Sequence, residues 1–304
     1  GAKFEFEKIE RKARITGSDK KQKGTQFTED EYAKSSEDAE VYALALYFED
    51  DIQASDKLIL TPGLRYESYY LIHNDRDKND GAGENGKNAN NYTSYEKDEY
   101  ILLPGLGFTY EHNNANQIYG GVHMGMAPPA VGDAGYRQIS NLKSQKSFNF
   151  ELGVINSNFE DKYGLTFETA AFRTVERNRP VKSSLRTTGT GSTLKNIGTT
   201  FTDGVEFSAN WDQSKYSKNS RNWFANISYS FMYPKLKTHQ KGERSSDDAG
   251  SVIIVDDVYE NDIPFVPRHK GLITVGYGAP NKWDVSTTLR YRGEYFTDID
   301  NSKG

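Results

Sequence analysis

The chain has 304 residues, no cysteine and a formal net charge of -5 at pH 7, which excludes disulfides, thiolate chemistry and the basic footprint of a nucleic-acid binder. Its mean hydropathy is -0.79, and no apolar run reaches about 18 residues, so no transmembrane helix is encoded. A β-barrel escapes both measures, because its lipid-facing residues fill only alternate positions of each strand.

The N-terminal residues Gly1-Ala2-Lys3-Phe4-Glu5 open directly with strand-like alternation and lack the apolar region of a signal peptide. Residues 41–50 place Tyr42, Leu44, Leu46 and Phe48 on one face and Val41, Ala43, Ala45 and Tyr47 on the other. From Lys57, the set Leu58, Leu60, Pro62, Leu64 and Tyr66 opposes Thr61, Gly63, Arg65 and Glu67. Residues 101–111 repeat the scheme, with Leu102, Pro104, Leu106, Phe108 and Tyr110 outward against Leu103, Gly105, Gly107 and Thr109. Phe148, Phe150, Leu152 and Val154 alternate with Asn149, Glu151 and Gly153, and Val205, Phe207, Ala209 and Trp211 with Glu206, Ser208 and Asn210. Trp223 to Phe231, Ile273 to Tyr277 and Trp283 to Tyr291 complete about eleven candidate strands.

The connections alternate as strictly as the side chains. Long polar stretches near 17–38, 72–97, 127–145, 177–195, 237–262 and from about 296 are interleaved with short turns near 52–56, 112–116, 157–163, 212–221 and 278–282. All long connections therefore leave one edge of the sheet, the asymmetry of a transmembrane barrel with short periplasmic turns and long extracellular loops. A period of two does not by itself separate lipid and lumen from core and solvent; the loop asymmetry does. Tyr 20 and Phe 16 are high counts that suit interfacial girdles, or the core of a sandwich. The expected fold is an all-β transmembrane antiparallel β-barrel. An odd strand count leaves two bare edges, so residues 1–304 are read as an internal piece of a larger barrel.

Several local motifs carry no site. Gly81-Ala82-Gly83-Glu84-Asn85-Gly86 matches GxGxxG in an Asn-rich loop with no helix to receive a pyrophosphate. Asp75, Asp77 and Asn79 begin like a calcium loop, but Asp80 stands at the turn glycine and Gly86 at the bidentate glutamate. His73, His112, His123, His239 and His269 show no metal spacing, and nothing resembles a nucleophile elbow. No catalysis, metal site or cofactor is expected.

Leu60-Thr61-Pro62-Gly63-Leu64-Arg65-Tyr66-Glu67 resembles the mid-barrel signature of TonB-dependent outer-membrane receptors. Gly125-Met126-Ala127-Pro128-Pro129 is similar to the family's Gly-aromatic-x-Pro-Pro strand end, with Met126 in place of the aromatic residue. Lys146-Ser147-Phe148-Asn149-Phe150-Glu151-Leu152-Gly153, Gly204-Val205-Glu206 and Ile263-Pro264-Phe265-Val266-Pro267-Arg268-His269-Lys270-Gly271 follow in the family's order, the last most like the ferric dicitrate branch. The resemblance implies a 22-stranded barrel, of which this chain is about eleven strands, in the outer membrane of a Gram-negative cell. The N-terminal plug that contacts TonB is absent from residues 1–304.

What the resemblance implies is binding and gated import of a ferric chelate, in partnership with outer-membrane lipid and the TonB, ExbB and ExbD complex. An anionic cargo such as iron(III) dicitrate calls for guanidinium groups, which make charge-assisted and bidentate carboxylate contacts. Arg65, on the lumenal row at the position matching the ferric citrate branch, is the first candidate; its bland alternative is a lumenal ion pair with Glu67 or with a carboxylate of the plug. Arg173, Arg177 and Arg179 form a second cluster, although counting by two from Leu165 puts all three on the lipid side unless a bulge or loop resets the register. Arg137 and Gln138 reach from the loop after Pro128-Pro129. The competing readings are a passive porin-like channel, a receptor for a nickel chelate, cobalamin or haem, and a soluble β-sandwich or adhesin.

Overall fold

The computed structural model describes residues 2–14, 33–77, 91–128, 143–182, 194–196, 198–217, 221–239, 241–246, 251–279, 282–297, 299 and 301. In chain order its strands are β1 (Ala2–Arg14), β2 (Ala33–Glu49), β3 (Ile52–Ser55), β4 (Leu58–Asp77), β5 (Asn91–Asn113), β6 (Asn116–Ala127), β7 (Gln145–Phe159) and β8 (Leu165–Arg177). They continue with β9 (Pro180–Lys182), β10 (Leu194–Asn196), β11 (Thr199–Asp212), β12 (Asn222–Leu236), β13 (Lys241–Ser246), β14 (Ser251–Asp257), β15 (His269–Ala279) and β16 (Trp283–Arg292). One antiparallel sheet runs in the order β1-β2-β4-β5-β6-β7-β8-β11-β12-β15-β16, with β3 doubling back on β4. The ribbons β9-β10 and β13-β14 stand apart, in two of the long connections.

Every wall strand pairs with its neighbour in sequence, so all short turns fall on one rim and all long connections on the other. No second sheet is packed face to face on this one among the described residues, which removes the sandwich reading. Two of the short turns are tied together. The single-turn helix α1 (Glu160–Tyr163) ends at Gly164, whose φ of 66° is the left-handed conformation glycine adopts without strain. Gly164 O accepts from the Asp212 N–H at 2.8 Å, and a Cβ at Gly164 would run into the Asp212 carbonyl.

Burial is inverted relative to a soluble core. Large outward side chains such as Leu102, Leu289 and Val285 are 57%, 69% and 70% exposed, whereas Leu71 and Tyr69 on the inner rows are 1% and 4% exposed. Rings cluster near strand ends: Phe159 with Tyr163 and Phe167, and Tyr277 with Trp223 and Trp283, at the short-turn rim. Tyr42 pairs with Tyr70 toward the other rim. A contiguous apolar surface of this kind needs a partner phase. The chain without detergent is therefore expected to sediment as aggregates, and a monodisperse monomer in analytical ultracentrifugation would contradict the barrel-wall assignment.

The strands outrun the expected loops. β4 and β5 stay paired from Leu58 with Tyr110 to Asp77 with Asn91, well into the polar stretch near 72–97. Beyond the hydrocarbon both faces meet water, so the apolar row fades while the backbone ladder continues; Ser94 Oγ donating to Asn74 Oδ1 at 2.9 Å is one of its polar cross-strand pairs. The β5-β6 ladder stops early, at Gly105 with His123. Pro104, next along β5, has no N–H to extend it. Past that point the tips of β6 and β7 come over the inner face of β4 and β5: Ser144 Oγ donates to Glu99 Oε2 at 2.6 Å and is also hydrogen-bonded to Tyr69 Oη.

Candidate functional site

Register fixes which side chains share a face. Arg65 lies directly between Tyr47 on β2 and Leu103 on β5, and Glu67 lies between Ala45 and Ile101. These belong to the inner rows, opposite the Leu46-Tyr66-Leu102 row that faces outward. Arg65 Nε donates to Glu67 Oε1 at 2.5 Å, and its guanidinium carbon sits 5.9 Å from the Tyr47 ring centroid. The Arg65 side chain remains 41% exposed, and its bond to Glu67 is made through Nε. A concavity of about 140 Å³ opens beside it, lined by Lys3, Arg65, Glu67, Tyr69, Met126 and Pro128. Neighbouring rows are small: Gly63 pairs with Gly105, and Thr61 with Gly107.

The arginines near β8 divide. Arg173 is on the outward row, where it faces Phe150 and Asp203. Its Nε and Nη2 donate to the two Asp203 oxygens at 2.5 and 2.8 Å. Arg177, four residues on, is also outward and lies over the Phe148 ring at 5.5 Å. Arg179 turns the other way. Asn178 adopts a φ of 59°, a left-handed conformation that Asn tolerates better than most residues, and this resets the alternation. Arg179 Nη1 then donates to Glu176 Oε2 at 2.5 Å. Glu176 is an inner-row residue that also accepts from Gln145 Nε2 at 2.6 Å and Thr200 Oγ1 at 3.0 Å. Arg65 and Arg179 thus face inward, and Arg173 and Arg177 do not.

Arg137, Gln138 and the Gly81-to-Gly86 motif lie outside the described residues. Among the described residues no group of three or more His, Asp or Glu side chains is placed to hold a metal ion. Two charged clusters escaped the sequence reading. One is Asp262 with Lys235 and Arg268, at the rim of the long connections. The other is Lys270, Arg290 and Arg292 on the inner face of β15 and β16. Their spacing in sequence shows nothing; the strand register assembles them.

Among the described residues no helix is long and apolar enough to cross a membrane, while a sequential meander with an apolar outer face, a charged inner face and one rim of long connections is the wall of a transmembrane β-barrel. The chain belongs to the TonB-dependent receptor-like β-barrel family, whose model matches residues 10–303. A curated relative, the probable TonB-dependent siderophore receptor PiuA of Acinetobacter baumannii, is 22% identical over 279 residues, covering 89% of this chain and 34% of the relative. The chain therefore spans about a third of that protein's length. Its fold matches the crystal structure of the siderophore receptor PiuA from Acinetobacter baumannii, with a TM-score of 0.64 and 19% identity over 90% of this chain and 36% of that one. It also matches the ferric citrate transporter FecA in the unliganded form, with a TM-score of 0.65 and 20% identity over 99% and 39%. The ferric yersiniabactin uptake receptor FyuA from Yersinia pestis gives 0.62 and 18% over 88% and 36%. At such identities these likenesses show the fold.

Proposed function

We propose that this chain forms part of the barrel wall of an outer-membrane receptor that binds an anionic ferric chelate and admits it using energy relayed by TonB, ExbB and ExbD. The observation that carries the reading is Arg65, a half-exposed guanidinium on an inner row beside a concavity and glycine-lined rows. Such a fork suits a carboxylate-rich cargo. Iron(III) dicitrate is the specific cargo proposed, from the likeness of residues 60–67 to the ferric citrate branch and of the fold to a ferric citrate transporter. In this reading Arg65 makes the principal contact and Arg179 a second one. Arg137 and Gln138 add loop contacts, and Arg173 and Arg177 belong to the membrane-facing rim. A plug domain of the parent protein closes the barrel and makes the TonB contact.

Uptake of iron-59 citrate into cells carrying only this receptor tests the proposal. Saturable uptake that disappears when TonB is deleted is expected. Uptake that survives the deletion would instead mean a passive channel. If the purified receptor binds no ferric citrate, its cargo belongs to another class, such as a different siderophore, a nickel chelate, cobalamin or haem.

A further inference from the structure

Lys270 and Arg292 are directly opposite one another on neighbouring strands, and Arg290 stands opposite Leu272, the next inner-row position of β15. The same register puts Ile273, Val275 and Tyr277 with Leu289, Thr287 and Val285 on the outward face, so the three cations point into the barrel. Lys270 is the second residue of β15 and Arg292 the last of β16; both therefore sit at the rim of the long connections. Like charges placed directly opposite across a ladder are destabilising. No carboxylate among the described residues is ion-paired with any of the three. The carboxylate of their own row, Glu206, is two strands away behind Ser230, whose Oγ donates to it at 3.2 Å, a separation of roughly 10 Å at ordinary strand spacing. Arg292 is held in place by stacking on Tyr295, its guanidinium carbon 4.2 Å from the ring centroid.

A partly fixed group of cations on the inner face at the mouth of a low-dielectric tube focuses its field on incoming anions. We infer that Lys270, Arg290 and Arg292 form a second anion site, on the lumenal side of the outer mouth, which captures the carboxylate arms of the chelate ahead of Arg65. This inference rests on the proposed function. The two sites have different kinetic signatures: a rim charge acts mainly on association and its salt dependence, whereas a charge paired with bound ligand acts on dissociation.

The test is stopped-flow binding of ferric citrate to the full-length receptor, wild type and a variant combining Lys270→Gln, Arg290→Gln and Arg292→Gln. Association of the variant is expected to be about tenfold slower or more at low salt, with a flattened salt dependence and a dissociation rate changed by less than about twofold. An unchanged association rate and salt slope would overturn the site, as would unchanged association accompanied by a lower unfolding temperature, which would mean that the cations pair with carboxylates of the barrel itself. A wild-type receptor that binds a neutral ferric hydroxamate but no ferric citrate at any salt would overturn the anionic-cargo reading, and the capture site with it.

Discussion

Replacing Arg65 with alanine in the full-length receptor is expected to weaken ferric citrate binding by about 30-fold to several-thousand-fold, the ~2 to 5 kcal/mol typical when one partner of a buried charge pair is removed. The loss has two sources. The ligand carboxylate forfeits its guanidinium, and Glu67, now bonded to Arg65 Nε at 2.5 Å, is left as an uncompensated anion facing an anionic ligand. Arg65→Lys should recover only part of the affinity, because an ammonium keeps the charge but cannot present two parallel N–H bonds. Glu67→Gln separates this account from its bland alternative. If Arg65 serves only to pair with Glu67, both substitutions alter barrel stability alike and neither changes affinity. If Arg65 holds ligand, Glu67→Gln leaves affinity intact or tightens it while Arg65→Ala destroys it. Calorimetric titration decides between the two, and unchanged affinity in Arg65→Ala would remove Arg65 from the site.

The wall was legible in the sequence because a strand between lipid and lumen alternates its chemistry residue by residue. The split between Leu102, Leu106 and Phe108 and Leu103, Gly105 and Gly107 reappears as outward and inner rows of β5. Strand ends were less legible, since a ladder in water needs no apolar row, as at Asn74 and Ser94. Period-two counting placed Arg173, Arg177 and Arg179 alike on the outward row, and only a reset of the register turns Arg179 inward. Its direction depends on the backbone of Asn178 at a φ of 59°, which periodicity does not encode. Arg65 could be proposed from one strand because its own row identifies the lumen. Lys270, Arg290 and Arg292 could not, because their opposition exists only through the pairing of β15 with β16. The window from Ile263 to Gly271 signalled the family without revealing what it does structurally.

That window holds a buried clasp, and Asp262→Ala is expected to open it. Arg268 donates to both Asp262 oxygens, from Nε at 2.8 Å and Nη2 at 2.9 Å, and Lys235 Nζ lies 2.7 Å from Oδ1. The backbone of Asp262 is fastened as well, its N–H donating to Asn301 Oδ1 at 2.6 Å and its carbonyl accepting from Asn301 Nδ2 at 2.9 Å. Asp262 and Lys235 side chains are only 8% and 11% exposed, so removing the carboxylate leaves a buried ammonium whose remaining hydrogen bond is to the Glu260 carbonyl, at 2.8 Å, at a cost of about 3 to 5 kcal/mol. Arg268, at 41% exposed, recovers water and contributes less. Amide exchange across residues 258–268 should therefore accelerate by about 150-fold to several-thousand-fold, while the β4-β5 ladder exchanges as before. Burial by itself would push the Asp262 carboxyl up, but the hydrogen bonds and charges of Arg268 and Lys235 outweigh it and hold the group below the ordinary carboxylate value. A group depressed in the folded state contributes its full stabilisation above the unfolded value, near ~4, and loses it as pH falls through the folded value. Protection of 258–268 should thus be level above about pH 5 and decline only under stronger acid, with Asp262→Asn abolishing that decline. Exchange unchanged in Asp262→Ala, or protection that rises on acidification, would show that the loop is held by its apolar contacts at Ile263 and Pro264 instead.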